Sequence, residues 1–152
     1  MEPFFQSAAP VWITLAIVLL PLLGFVIQIF FNRKIPRNGD FIPTACIGIS
    51  AILALYLGYQ MFQVSNPDFV YDSKAQGYFW KWFDFGEVKL HTGVLLDNAG
   101  IIMLMMVTVV SFFIHLFSIG YMHGDKYYGR FFAYLGLFCF SMLGLVASDN
   151  IL

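Results

Sequence analysis

One histidine stands inside an apolar stretch that otherwise carries no charge, and it is the residue of this chain best suited to passing a proton. His115 lies within Ala99 to Met122. An ionisable side chain is expensive in such a stretch and marks a functional position by default. A neutral imidazole exchanges protons near neutral pH. Thr108, Ser111, His115 and Ser118 recur at spacings of three, four and three, which puts all four on one face of a helix. The reading is a polar stripe turned toward other helices or water, with His115 and the three hydroxyls as candidates for a proton path. The structural alternative is that the hydroxyls bond carbonyls of their own helix and His115 makes one interhelical hydrogen bond. His115 lies about 10 Å from the Met122 end at 1.5 Å per residue, a depth that suits an inlet better than a relay at the midplane.

Other chemistries find no such support. A bis-histidine haem site needs two imidazoles at matching depth on facing helices, whereas His91 and His123 fall outside the apolar runs and on opposite sides. There is no glycine-rich phosphate loop after a strand, no nucleophile elbow and no pair of carboxylates within an apolar run. Cys46 and Cys139 each sit in a long apolar run without metal-ligand spacing, and read as small buried hydrophobes. No catalytic, cofactor-binding or metal-binding constellation is expected within the chain.

The elements that must position His115 follow from composition. Of 152 residues, 60% are hydrophobic and 11% charged, well away from the balance of soluble domains. The net charge of −1 argues against a nucleic-acid partner or a polybasic lipid anchor. Four stretches have the length to cross a bilayer as helices: Val11 to Phe31, Phe41 to Val64, Ala99 to Met122 and Phe131 to Ser148. The first lacks the basic flank and small-residue cleavage site of a secretory signal, so it is read as a permanent span. Arg33, Lys34 and Arg37 lie in one short loop, 32–40, and Lys126 and Arg130 in another, 123–130. The positive-inside rule therefore puts both loops in the cytoplasm and the N-terminus outside. Glu2, Asp68, Asp72, Asp84, Glu87, Asp97 and Asp149 fall on the outer side with Lys74, Lys81 and Lys89.

Between the second and third spans lies an outer segment, 65–98. Asn66, Pro67, Asp68 and Gly77 read as turn and loop. From Tyr78 to Leu96, Trp80 and Trp82 share one parity, Val88 and Leu90 another, and Asp84 to Gly86 supplies turn chemistry. This predicts a β-hairpin against the outer membrane surface. A short interfacial helix is the rival, although Gly86 and Gly93 weaken it. Pro21 and Gly24 in the first span, and Ala133, Gly136, Gly144 and Ala147 in the fourth, read as kink and close-packing positions. Asp97 is placed to cap the third helix.

The residues Leu19 to Gln28, the Trp-rich outer loop and Leu95 to Leu152 resemble the N-terminal region of the large antiporter-like subunit L of NADH:quinone oxidoreductase, respiratory complex I, called NADH dehydrogenase subunit 5 in mitochondria. The most specific pattern is Leu96-Asp97, the Val-Thr-containing span, His115, Tyr121-Met122, Asp125 and Arg130-Phe131-Phe132-Ala133-Tyr134. The resemblance implies an all-α integral membrane fold, the opening segment of a larger antiporter-like protein in a bacterial inner membrane. It implies proton translocation driven by redox chemistry elsewhere in the complex. NADH, FMN, iron–sulfur clusters and quinone are then expected on other subunits, with a neighbouring antiporter-like subunit and membrane lipid as partners. The family's main buried acidic and lysine residues come after the fourth span and have no counterpart here. Only Asp97, His115, Asp125 and Arg130 match by position. Two other readings stay open: the similar large subunit of a multisubunit sodium/proton antiporter, and a four-helix membrane scaffold.

Overall fold

A computed structural model describes residues 8–31, 41–64, 70–73, 77, 80–85 and 88–148. Four helices dominate it: α1 (Ala9–Phe31), α2 (Phe41–Val64), α3 (Asn98–Tyr121) and α4 (Tyr128–Ala147). All four are long and apolar enough to cross a membrane. At 20 to 24 residues each, they reach about 30 to 36 Å. Each packs against the next, and α4 returns to α1, so the four close into a ring.

Among the described residues, prolines stand where a helix tolerates them, with one exception. Pro10 and Pro43 fall in the first turns of α1 and α2, where an amide N–H has no intrahelical acceptor to lose. Pro21 is in the interior of α1. Its missing N–H leaves the carbonyl of Ile17 without its helical donor, and the Ser50 hydroxyl of α2 donates to that carbonyl at 3.1 Å. The kink position is thus also a tie between helices. Gly24 and Gly136 let the backbones close in. A Cβ at Gly24 would lie 3.2 Å from the Pro43 Cα, and one at Gly136 would lie 3.3 Å from the Pro21 carbonyl oxygen.

The buried centre includes Ile17, Ile47, Leu57, Leu104, Phe132 and Leu143. Bulky apolar side chains such as Leu23, Phe30, Ile52, Met106, Phe117 and Phe138 are turned outward. In water that surface would be a liability; toward lipid tails it needs no further partner. Burial in such a bundle rests on packing and interhelical hydrogen bonds more than on hydrophobic driving force.

Among the described residues, the outer segment holds four strands: β1 (Val70–Asp72), β2 (Trp80–Phe85), β3 (Val88–Thr92) and β4 (Leu95–Asp97). β2 and β3 pair antiparallel, so the hairpin forms and the interfacial helix does not. Three details differ from the sequence reading. Asp84 and Phe85 belong to β2, opposite Lys89 and Val88, rather than to the turn. The register shifts between Lys81 and Phe83, an irregularity that simple alternation does not signal. The hairpin stops at Thr92, and Leu95–Asp97 pairs instead with Val70–Asp72, in a stretch that reads as loop.

That second pairing is sealed into the bundle. Tyr71, Ser73, Val94 and Leu96 are buried. The Ser73 hydroxyl accepts from the Val94 amide at 2.7 Å, and the Ser73 amide donates to the Val94 carbonyl at 3.0 Å. Val94 also bridges to Ser148 beyond α4. Long-range burial, not local alternation, makes these short strands.

The helix ends shift as well. α4 begins at Tyr128, so Arg130 stands in its first turn and not in the connecting loop. The α3–α4 connection turns at Gly124, whose φ of 89° suits a residue without a Cβ. The loop carrying Arg33, Lys34 and Arg37 lies outside the described residues, as do Glu2, Asp68, Lys74, Glu87 and Asp149.

Candidate functional site

Asp97 sets the start of the helix that carries the polar stripe. Its backbone is extended, and its carboxylate accepts from the Gly100 amide at 2.7 Å. This is the N-cap geometry that satisfies one of the otherwise unpaired first-turn donors. Gly100 leaves room for the carboxylate oxygen, which would otherwise crowd a Cβ.

From there α3 turns all four polar residues inward. Thr108 is 0% exposed, Ser111 8%, His115 1% and Ser118 5%. Ile101 and Leu104 continue the same buried face toward Asp97. The opposite face, including Met106, Phe113 and Phe117, is exposed. The helix is therefore amphipathic in a lipid sense, with its polar side toward protein.

Each polar group has a defined local arrangement. The Thr108 hydroxyl donates to the Leu104 carbonyl at 2.8 Å and lies 3.0 Å from the Met105 carbonyl oxygen. The Ser111 side chain lies beside the Cys139 thiol of α4. His115 Nδ1 is 2.8 Å from the Ser111 carbonyl oxygen. A carbonyl only accepts, so the neutral ring places its proton on Nδ1 and leaves Nε2 as a lone-pair acceptor. His115 Nε2 is buried and has no hydrogen-bond partner among the described residues. The ring sits against Phe132 of α4, with centroids 5.9 Å apart and planes tilted by 56°.

Chemically, the ring can take a proton on Nε2 and return it from the same atom while Nδ1 stays anchored. Of the hydroxyls in the structural alternative, that of Thr108 bonds a carbonyl of its own helix, and the His115 ring also bonds its own helix, at Ser111. What that alternative lacks is an interhelical hydrogen bond from His115. Across the interface the imidazole meets the Phe132 ring.

Buried polar residues outside the stripe were not singled out by spacing. Thr14, Gln28, Thr44 and Ser50 are buried on α1 and α2. The Thr14 hydroxyl has no hydrogen-bond partner among the described residues, and Thr14 lines a cavity of about 160 Å³ with Val18, Gly93, Val94, Ala147 and Ser148. A single hydroxyl in a long apolar run gives no periodic signal, and only packing reveals its burial. Of the two cysteines, Cys139 is buried and Cys46 half-buried. Among the described residues no three His, Cys, Asp or Glu side chains converge as a metal site would require. His123 is exposed, in the turn after α3.

Residues 82–132 match the family model described as NADH-Ubiquinone oxidoreductase (complex I), chain 5 N-terminus. The chain is 33% identical over 136 residues to NADH-quinone oxidoreductase subunit L of Escherichia coli (strain K12), covering 89% of this chain and 21% of that protein. It is 37% identical over 138 residues to subunit L of Neisseria meningitidis serogroup B, covering 90% of this chain and 20% of that protein. It is 36% identical over 139 residues to NADH-ubiquinone oxidoreductase chain 5 of Trichophyton rubrum, covering 91% of this chain and 20% of that protein. The chain spans about a fifth of the length of these curated relatives. With its four membrane-capable helices and the match running through α3 and its polar stripe, the chain is a homologue of the N-terminal region of the subunit L and chain 5 family of NADH-quinone oxidoreductases.

Proposed function

We propose that the chain belongs to a proton-translocating membrane-arm subunit of NADH:quinone oxidoreductase, in which the buried face of α3 gives protons a foothold near one membrane surface. The observation that carries this reading is His115: a ring held by its Nδ1 proton, with a basic Nε2 buried and unpartnered among the described residues. A buried acceptor left unpaired is costly. A proton or a transient water relieves the cost, which suits a group that is visited rather than one that only packs.

Ser111 and Ser118 flank the ring by one turn on either side, and Thr108 continues the face. In this reading they stabilise water or a passing proton, and His115 holds the charge briefly. In this reading the redox chemistry is supplied elsewhere in the enzyme. NADH oxidation and quinone reduction, with FMN and iron–sulfur clusters, belong to other subunits, and a neighbouring antiporter-like subunit is the expected contact. The setting is a bacterial inner membrane with the α3–α4 turn on the cytoplasmic side. The similarity to subunits of NADH-quinone oxidoreductases favours this reading over a sodium/proton antiporter or a scaffold.

The test is His115→Ala in the whole enzyme, in inverted vesicles. The expected outcome is a lower proton yield per NADH oxidised with the oxidation rate in uncoupler unchanged. An unaltered yield in a normally assembled enzyme overturns the proposed role of His115.

A further inference from the structure

The turn between α3 and α4 forms a recess unrelated to the polar stripe. It encloses about 460 Å³ and is lined by Met122, Asp125, Tyr127, Arg130, Phe131 and Tyr134. Two cations converge on one of its aromatic walls. Lys126 Nζ lies 5.9 Å, and Arg130 Cζ 5.7 Å, from the centroid of the Tyr127 ring. Asp125, the carboxylate on the wall, already accepts from the Tyr127 amide at 2.7 Å. The neighbourhood of the recess therefore carries two positive charges against one negative, and the negative one is engaged with backbone.

The recess joins two spans, so it sits where a bilayer's headgroups would lie. It also leads into the apolar surface. Arg130, Tyr134 and Phe138 follow one another at intervals of four, all exposed along a single line of α4. A charge at the top of an aromatic track is the arrangement of a molecule with an anionic head and a hydrocarbon tail. Free phosphate would need the cations but not the track, whereas Tyr134 and Phe138 are both 62% exposed and extend from the charge into the membrane span.

We propose that this recess binds an anionic phospholipid, with the headgroup phosphate at Arg130 and Lys126 and an acyl chain along Tyr134 and Phe138. Arg130 supplies the planar donor set that suits phosphate oxygens, and Lys126 adds a mobile second charge. Basic pockets at the ends of membrane helices recognise anionic headgroups, with each basic residue contributing about a fivefold preference.

The experiment places a photoreactive benzophenone at position 138 of the intact protein, in nanodiscs of equimolar phosphatidylglycerol and phosphatidylcholine, and identifies the adducts by mass spectrometry. The expected result is an excess of phosphatidylglycerol adduct. That excess should fall about fivefold for Arg130→Gln and further for Arg130→Gln with Lys126→Gln, yet persist in Arg130→Lys. Circular dichroism and elution volume establish that each variant is folded, and Arg130→Lys carries the same test if the neutral variants do not fold. Equal adducts of the two lipids, an excess indifferent to the charges, loss of the excess to competing inorganic phosphate, or a peptide adduct in place of lipid would each overturn the proposal.

Discussion

The Ser50 hydroxyl donates to the Ile17 carbonyl across the α1–α2 interface, at 3.1 Å. Ile17 is the residue four before Pro21, whose ring nitrogen has no hydrogen to give it. A defect in one helix is thereby repaired by its neighbour.

Ser50→Ala is expected to destabilise the protein by about 0.5 to 2 kcal/mol, the span for losing an interhelical hydrogen bond in a membrane. The cost should shrink toward zero in a Pro21→Ala background, because residue 21 then supplies its own N–H to Ile17. A double-mutant cycle by denaturant unfolding in detergent checks this. Additive effects of the two substitutions would show that Ser50 and Pro21 are not coupled through that carbonyl.

At the start of α3, Asp97→Ala removes the acceptor of the Gly100 amide. The expected loss is about 1 kcal/mol, with Asp97→Ser retaining most of the stability. Hydrogen exchange at the Gly100 amide should quicken in Asp97→Ala and stay slow in Asp97→Ser.

Two glycines respond differently to one methyl group. A Cβ at Gly58 would collide with the Met105 thioether, while one at Gly24 would press on the Pro43 Cα at 3.2 Å. The thioether can swing away, but a backbone atom that is part of a proline ring cannot. Gly58→Ala should therefore cost less than about 1 kcal/mol, and Gly24→Ala about 1 to 3 kcal/mol. Unfolding midpoints in the reverse order would mean that the α1–α2 approach is looser than the structure indicates.

Packing and proton handling by His115 can be separated with His115→Asn. The amide of Asn retains a donor near the position of Nδ1 but has nothing equivalent to Nε2. Stability and assembly should be closer to wild type than in His115→Ala, while the proton yield stays low. Recovery of both together would assign His115 to packing alone.

The four spans and the inward polar stripe were legible because each is a repeating local signal. An apolar run of bilayer length needs no tertiary knowledge, and spacings of three and four name a helical face whatever that face meets. The Asp97 cap was visible for the same reason, as a short polar residue directly before an apolar run. The hairpin of β2 and β3 was readable in outline. Its turn was set too early because Asp84 has turn chemistry, yet its register places it opposite Lys89.

The chain's residues by themselves determined that it would form membrane-length helices and that one helix would turn Thr108, Ser111, His115 and Ser118 to one side. Tertiary structure decided what that side meets: Phe132 against the His115 ring, and Cys139 against Ser111. It also decided the burial of Thr14 and Ser50, the pairing of Val70–Asp72 with Leu95–Asp97, and the repair of the Pro21 defect. Periodicity encodes which residues share a face. Which atoms complete a hydrogen bond across that face depends on how two helices approach, and that is fixed by contacts between residues far apart in the chain.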